Sequence, residues 1–149
     1  MSDHARPEDA AARRATLERA YTATAFVAEV PGGPIEIRVG RQHPALDTIL
    51  IGRGFDAWAF ITAWNPASKQ LPDAENATRQ QRLRDELTSL RLVMFPGRGV
   101  TDEGDWPAEA SLLVLDLAEA DALRIGRDHG QNAVVVGALG GPARLVWCR

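Results

Sequence analysis

Cysteine, lysine and long apolar runs are what this 149-residue chain has least of. Its single cysteine, Cys148, has no partner within the chain, so a disulfide framework is excluded and nothing points to an oxidising compartment. Lys69 is the only lysine; the remaining basic residues are arginines, and the formal charge is -3. A general nucleic-acid binder neutralises phosphates with a net basic surface or a concentrated basic face, and this balance argues against one. No apolar run approaches the roughly 20 residues that span a bilayer, and the opening Met1-Ser2-Asp3-His4 is not that of a secretory signal. The expectation is a cytoplasmic chain without a membrane partner. Histidines are limited to His4, His43 and His129, with no His-x-x-His spacing and no paired cysteines, so no metal site and no cofactor is expected. Low-complexity segments and internal repeats are absent as well.

What is present suits a single globular domain over residues 1–149: at 45% hydrophobic, the chain can bury a core without staples. Residues 1–20 read as a partly flexible arm and an N-terminal helix from Pro7 to Ala20, with Glu8 and Asp9 in its first turn. Ala25 to Val30 and Ile35 to Val39 alternate as strands around the turn Pro31-Gly32-Gly33-Pro34. Between Gly40 and Phe55 the pattern weakens, with a short strand expected at Thr48 to Ile51. Ala57 to Ala63 is the strand of greatest weight. Trp58, Phe60 and Thr62 share one face and Ala59, Ile61 and Ala63 the other, so both sides are to be covered. Asp73 to Leu90 has helical spacing with Leu83, Leu87 and Leu90 as its stripe. Then come a strand from Arg91 to Phe95 closed by Pro96-Gly97-Arg98-Gly99, a strand from Ser111 to Leu117, and a helix from Ala118 to His129 ending at Gly130. Strands at Asn132 to Ala138 and Arg144 to Cys148 finish the chain. The order strand, helix, strand, strand, helix, strand over residues 57–138 is the split βαβ plan of ferredoxin-like domains. The fold class is thus α+β, a mostly antiparallel sheet extended by the early hairpin and the last strand.

Several separated motifs carry a resemblance. Trp64-Asn65-Pro66 follows an apolar strand, Leu71 and Asn76 lead into a helix, Gly97-Arg98-Gly99 follows the next strand, Trp106-Pro107 precedes Glu109 and Ser111, and Gly130-Gln131-Asn132-Ala133 opens a later strand. In this order, from about Tyr21 to the C-terminus, they resemble the bacterial family catalogued as domain of unknown function 3293. The resemblance implies no catalytic residue. Pro72 stands where such sequences often carry Ser or Thr before the helix, a change of cap rather than of chemistry.

The candidate ligand-binding residues are Trp64, Asn65, Asn76, Gln131 and Asn132. Asn65 sits at a strand end, and the following Pro66 biases its backbone towards extended geometry. Asn76 lies one heptad before Leu83, on the inward side of its helix. Gln131 and Asn132 open a strand that begins where the Trp58 strand ends. Amides both donate and accept, which suits a nucleobase, sugar or peptide; the plainer alternative is a polar network pinning two loops. Candidate catalytic residues are Glu109, which burial beside the Trp106 indole would tune as a general acid or base, and His129. Glu109 precedes a strand expected to start at the end of the sheet opposite the amides, so only a loop folding across would unite them. Gly97-Arg98-Gly99 lacks a following helix and is no phosphate loop, although Arg98 remains able to meet a phosphate. Ser68 and Ser111 lack a nucleophile motif, and Cys148 reads as core. These residues support a small domain binding a polar ligand or a protein partner at the amide-lined end. The rivals are an enzyme, a hydrolase or transferase acting on a nucleotide-like substrate through Glu109, and a scaffold dimerising through a sheet edge.

Overall fold

Alternating and continuous apolar runs build seven strands among the described residues, and their pairing decides where the polar candidates lie. The computed structural model describes residues 7–102 and 106–149; His4 and the first part of the expected arm fall outside the described residues. Helix α1 (Pro7–Thr22) leads into β1 (Thr24–Val30) and β2 (Gly33–Ile37), then α2 (Pro44–Arg53), β3 (Ala57–Ile61), a short 3-10 turn (Pro66–Ser68) and α3 (Asp73–Ser89). They are followed by β4 (Met94–Thr101), β5 (Glu109–Leu115), α4 (Glu119–Asp128), β6 (Ala133–Ala138) and β7 (Arg144–Trp147). The strands form one sheet in the order β2-β1-β4-β5-β3-β6-β7, every neighbouring pair antiparallel. Strand β5 lies between β3 and β4, the two strands joined through α3, so the core is a split βαβ arrangement within an α+β fold. β3 is interior, flanked by β5 and β6, while β5 is the middle strand.

The two faces of β3 divide the core. Ala59, Ile61 and Ala63 pack with Leu83 and Leu87 of α3, Ala122 and Ile125 of α4, and the buried Cys148. Trp58 and Phe60 pack on the other face with Leu46 and Leu50 of α2 and with Phe26, Ala28 and Ile37 of the hairpin. The buried side of α3 is Asn76, Gln80, Leu83 and Leu87, spaced at the helical period. Leu90, expected on that stripe, caps the helix and is 50% exposed.

Three expectations are corrected. Thr48 to Ile51 is not a strand but part of α2: Pro44 starts the helix, Leu46 and Leu50 are buried one turn apart, and Gly54 ends it in the left-handed conformation at φ 73°. The β-branched Thr48, Ile49 and Ile51 had favoured a strand, and packing of the Leu46-Leu50 pair overrides that propensity. Second, Pro96-Gly97-Arg98-Gly99 does not close a strand. β4 runs through it, paired with β5 from Met94 to Gly99 and with β1 from Gly97 to Thr101. Glycine is needed at 97 because a Cβ there would come within 2.9 Å of the Phe60 ring and 2.7 Å of the Val27 carbonyl oxygen. Third, the second hairpin strand starts two residues earlier than expected, at Gly33, whose φ of 124° turns the chain. No described helix is long and apolar enough to cross a membrane.

Gly137 marks the tightest approach in the sheet, since a Cβ there would lie 2.4 Å from atoms of the Trp58 indole on β3. Gly137→Ala is expected to destabilise the protein by about 1–3 kcal/mol through overpacking. Gly52→Ala, on the exposed side of α2 with no atom within 4 Å of a new Cβ, is expected to stabilise it by up to about 1 kcal/mol. Urea unfolding of the two variants against wild type measures the contrast.

Candidate functional site

Strand β3 stops pairing at Ile61, opposite Leu112 of β5, yet the chain stays buried beyond it. Its next N–H groups therefore need acceptors. Those of Ala63 and Asn65 find them on α3: Ala63 N–H donates to Gln80 Oε1 at 2.9 Å and Asn65 N–H to Asn76 Oδ1 at 2.8 Å. Asn76 and Gln80 are one helical turn apart, so two amides on one helix continue the hydrogen bonding of one strand. Between them, Trp64 N–H donates to Thr62 Oγ1 at 2.9 Å, and that hydroxyl donates to Ala110 of β5 at 2.6 Å.

Asn65 is the hub. Its Oδ1 accepts from Asn76 Nδ2 at 2.7 Å and from Leu71 N–H at 3.0 Å, while its Nδ2 donates to Glu109 Oε1 at 2.8 Å. The backbone of Asn65 is not extended, as the following proline had implied, but left-handed at φ 46° and ψ 65°. Asparagine tolerates that region because its short side chain bonds locally, here across to Leu71. Ala67 and Ser68 follow with φ of 56° and 59°, so three of four successive residues hold conformations costly for side-chain-bearing residues. Ala67 N–H donates to the Gly130 carbonyl at 2.7 Å, tying this corner to the end of α4.

Glu109 shares this end of the sheet, contrary to the expected placement. In an antiparallel pair one strand begins where its neighbour finishes, so the start of β5 lies beside the end of β3. No loop has to cross the sheet. The Trp106 indole also donates to Glu109 Oε1, at 3.1 Å. Gln131, buried at the start of β6, turns its Nε2 towards the carbonyl oxygens of Trp64 and His129 at 3.3 and 3.4 Å.

A cavity of about 370 Å³ opens beside this cluster, between α1 and the Phe60-bearing face of the sheet. Leu17 and Tyr21 line it from α1, Phe26 and Phe60 from the strands, and Glu109 and Gln131 at its polar end. Tyr21 stacks edge-to-face on Trp147 of β7 at 6.2 Å, and Arg14 lies over the same indole at 4.8 Å while its guanidinium bonds the Arg149 carbonyl. Burial, reinforced by the Glu109 charge and then by Cys148, pushes the Tyr21 phenol up to about 12; the Ser68 hydroxyl acts in the opposite direction. The phenol is therefore a neutral donor and acceptor at physiological pH.

The sequence candidates thus divide. Asn65, Glu109 and Gln131 line the cavity. Asn76 and Trp64 stand behind it, Asn76 with both ends of its amide engaged and Trp64 contributing its backbone carbonyl. Asn132 donates to Ser68 Oγ at 3.0 Å and braces the corner from outside the lining. His129 pairs with Glu86 of α3 at 2.6 Å, across the helix layer and away from the cavity. Arg98 is occupied by Glu29 at 2.7 Å. Sequence reasoning missed Tyr21, Phe26 and Phe60 as cavity walls, and Gln80 as the partner of Ala63. The signals were faint: Leu17 and Tyr21 at i and i+4 on an otherwise alanine-rich helix, and Gln80 one turn after Asn76. Among the described residues no cluster of three or more His, Cys, Asp or Glu is placed to hold a metal ion.

A family model described as protein of unknown function (DUF3293) matches residues 61–134. That span holds Asn65, Asn76, Glu109 and Gln131 but not α1, whose Tyr21 lines the cavity with Asn65, Glu109 and Gln131. No curated protein and no solved structure matches the chain.

Two outcomes are expected. Asn76→Ala removes the acceptor of the buried Asn65 N–H and should destabilise the fold by about 1–3 kcal/mol in urea unfolding. Tyr21 is the only tyrosine, so its ultraviolet titration is unambiguous. Its folded pKa lies above the ordinary value of 10.0, so its contribution to stability is complete below pH 10 and is lost as pH rises towards 12. Tyr21→Phe should remove that loss, and Glu109→Gln should lower the tyrosine midpoint.

Proposed function

We propose, for a chain whose residues 61–134 belong to the DUF3293 family, that it binds a small ligand in the cavity beneath α1, oriented by polar groups at the amide-lined end of the sheet. The observation that carries this reading is Glu109: a carboxylate held on one oxygen by Asn65 and Trp106 at the edge of a cavity whose walls combine apolar and aromatic side chains with hydroxyl and amide groups. Such a pocket, largely apolar with few convergent polar groups, is the usual form of a small-molecule site, and its volume is in the range of one. Asn65, whose amide oxygen accepts two bonds and whose Nδ2 donates to the carboxylate, positions Glu109; Gln131 and Glu109 are the groups that meet the ligand. The strand order of residues 57–138 supports a ferredoxin-like assignment.

A second reading has its own support. Because Glu109 is 2.8 Å from Asn65 and lines the same cavity as Tyr21, it is placed to act as a general acid or base on whatever enters. In that case Glu109→Gln would abolish turnover while leaving binding measurable.

The binding reading is tested with a thermal-shift screen of metabolites on three proteins. Gly99 lines the cavity, and a Cβ there meets nothing closer than 3.6 Å, so Gly99→Leu fills the space without forcing the backbone. A compound that raises the melting temperature of wild type should lose its effect in Gly99→Leu and weaken in Gln131→Ala. Equal stabilisation of all three proteins places the ligand elsewhere.

A further inference from the structure

The polar end of the cavity has a sign. Its described lining includes no arginine, lysine or histidine, and Glu109 is its one carboxylate. Among the described residues no basic side chain forms an ion pair with Glu109; both its donors are neutral N–H groups, and both meet Oε1. Oε2 receives neither of them. Gln131 directs its Nε2 at two backbone carbonyls, which leaves its amide oxygen as the end able to face a ligand. The Ser111 hydroxyl donates to the Glu109 carbonyl at 3.1 Å, leaving its oxygen as an acceptor. Glu109, Gln131 and Ser111 thus each present an acceptor, and the one charge in the described lining is negative.

Resting on the binding reading above, we propose that the ligand class is an amine: an apolar or aromatic body carrying a protonated, hydrogen-bond-donating head group. A ligand entering the cavity strips water from the half-buried carboxylate. A cationic head replaces that hydration with charge-assisted hydrogen bonds, whereas a carboxylate or phosphate adds repulsion to the same loss. Phe26 and Phe60, edge-to-face at 5.3 Å, and the Tyr21 and Trp106 rings supply flat apolar surface for the body and electron-rich faces that attract a cation. The nucleotide-like substrates that amides alone would suit are disfavoured, because nothing described in the lining neutralises a phosphate.

Two matched probe sets test this by calorimetry at neutral pH: tryptamine, tryptophol and indole-3-propionate, and hexylamine, hexanol and hexanoate. The amine of at least one set is expected to bind at least about tenfold tighter than its carboxylate. Glu109→Gln should bring that ratio within about threefold. A carboxylate that binds as well as its amine, or a ratio that survives Glu109→Gln, overturns the amine assignment. If the members of a set bind alike and Gly99→Leu abolishes them all, the cavity reading stands and the charge preference alone is wrong. If no probe binds, or binding persists in Gly99→Leu, the cavity reading falls and the amine class with it.

Discussion

Strand β3 ends its ladder at Ile61 while its backbone stays buried to Asn65, and the need to satisfy those N–H groups organises this end of the molecule. Two inward amides of α3 take them up. Once Asn76 binds the backbone and the side-chain oxygen of Asn65, the Asn65 amide nitrogen is left as the donor, and it points at Glu109. A leucine at position 76 would suit the helix stripe equally well in packing terms, but would leave a buried donor without a partner. The polar corner is therefore a structural necessity first. Its functional content lies in the one carboxylate that it holds at the cavity edge.

The two sides of the sheet are covered unequally. α3 and α4 bury leucine, isoleucine and alanine tightly against one face, with Gly126 admitting Val134 and Cys148 at distances that leave no room for a Cβ. On the other face α2 seals only part of the sheet. The rest lies under α1, a helix with no fully buried residue, attached through Arg14 and Tyr21 to β7 and the C-terminus. A helix so attached covers without filling, and the cavity is what remains beneath it. Burial there acts on the groups that line it, as the raised Tyr21 phenol shows.

Local periodicity made much of the architecture legible. The alternation of Trp58 and Phe60 against Ala59 and Ile61 identified a strand buried on both faces, and the inward position of Asn76 followed from its spacing to Leu83. The failures have a common physical origin. α2 was hidden because Thr48, Ile49 and Ile51 favour strands locally, whereas the deciding contacts of Leu46 and Leu50 lie on distant elements. Pro96 and the two glycines make Pro96-Gly97-Arg98-Gly99 look like the end of a strand, although the missing side chain of Gly97 serves the approach of Phe60 from two strands away.

The sequence by itself determined the α+β class, most element types and the inward position of Asn76, because those properties depend on spacing within one helix or one strand. Tertiary structure alone decided that Glu109 meets Asn65, a hydrogen bond joining residues 44 positions apart. That contact depends on strand order and direction. Antiparallel pairing brings the start of β5 to the end of β3, and no local pattern encodes where a strand's neighbour begins. The cavity beneath Tyr21 belongs to the same class of property, since it exists only where a weakly apolar helix comes to rest across five strands.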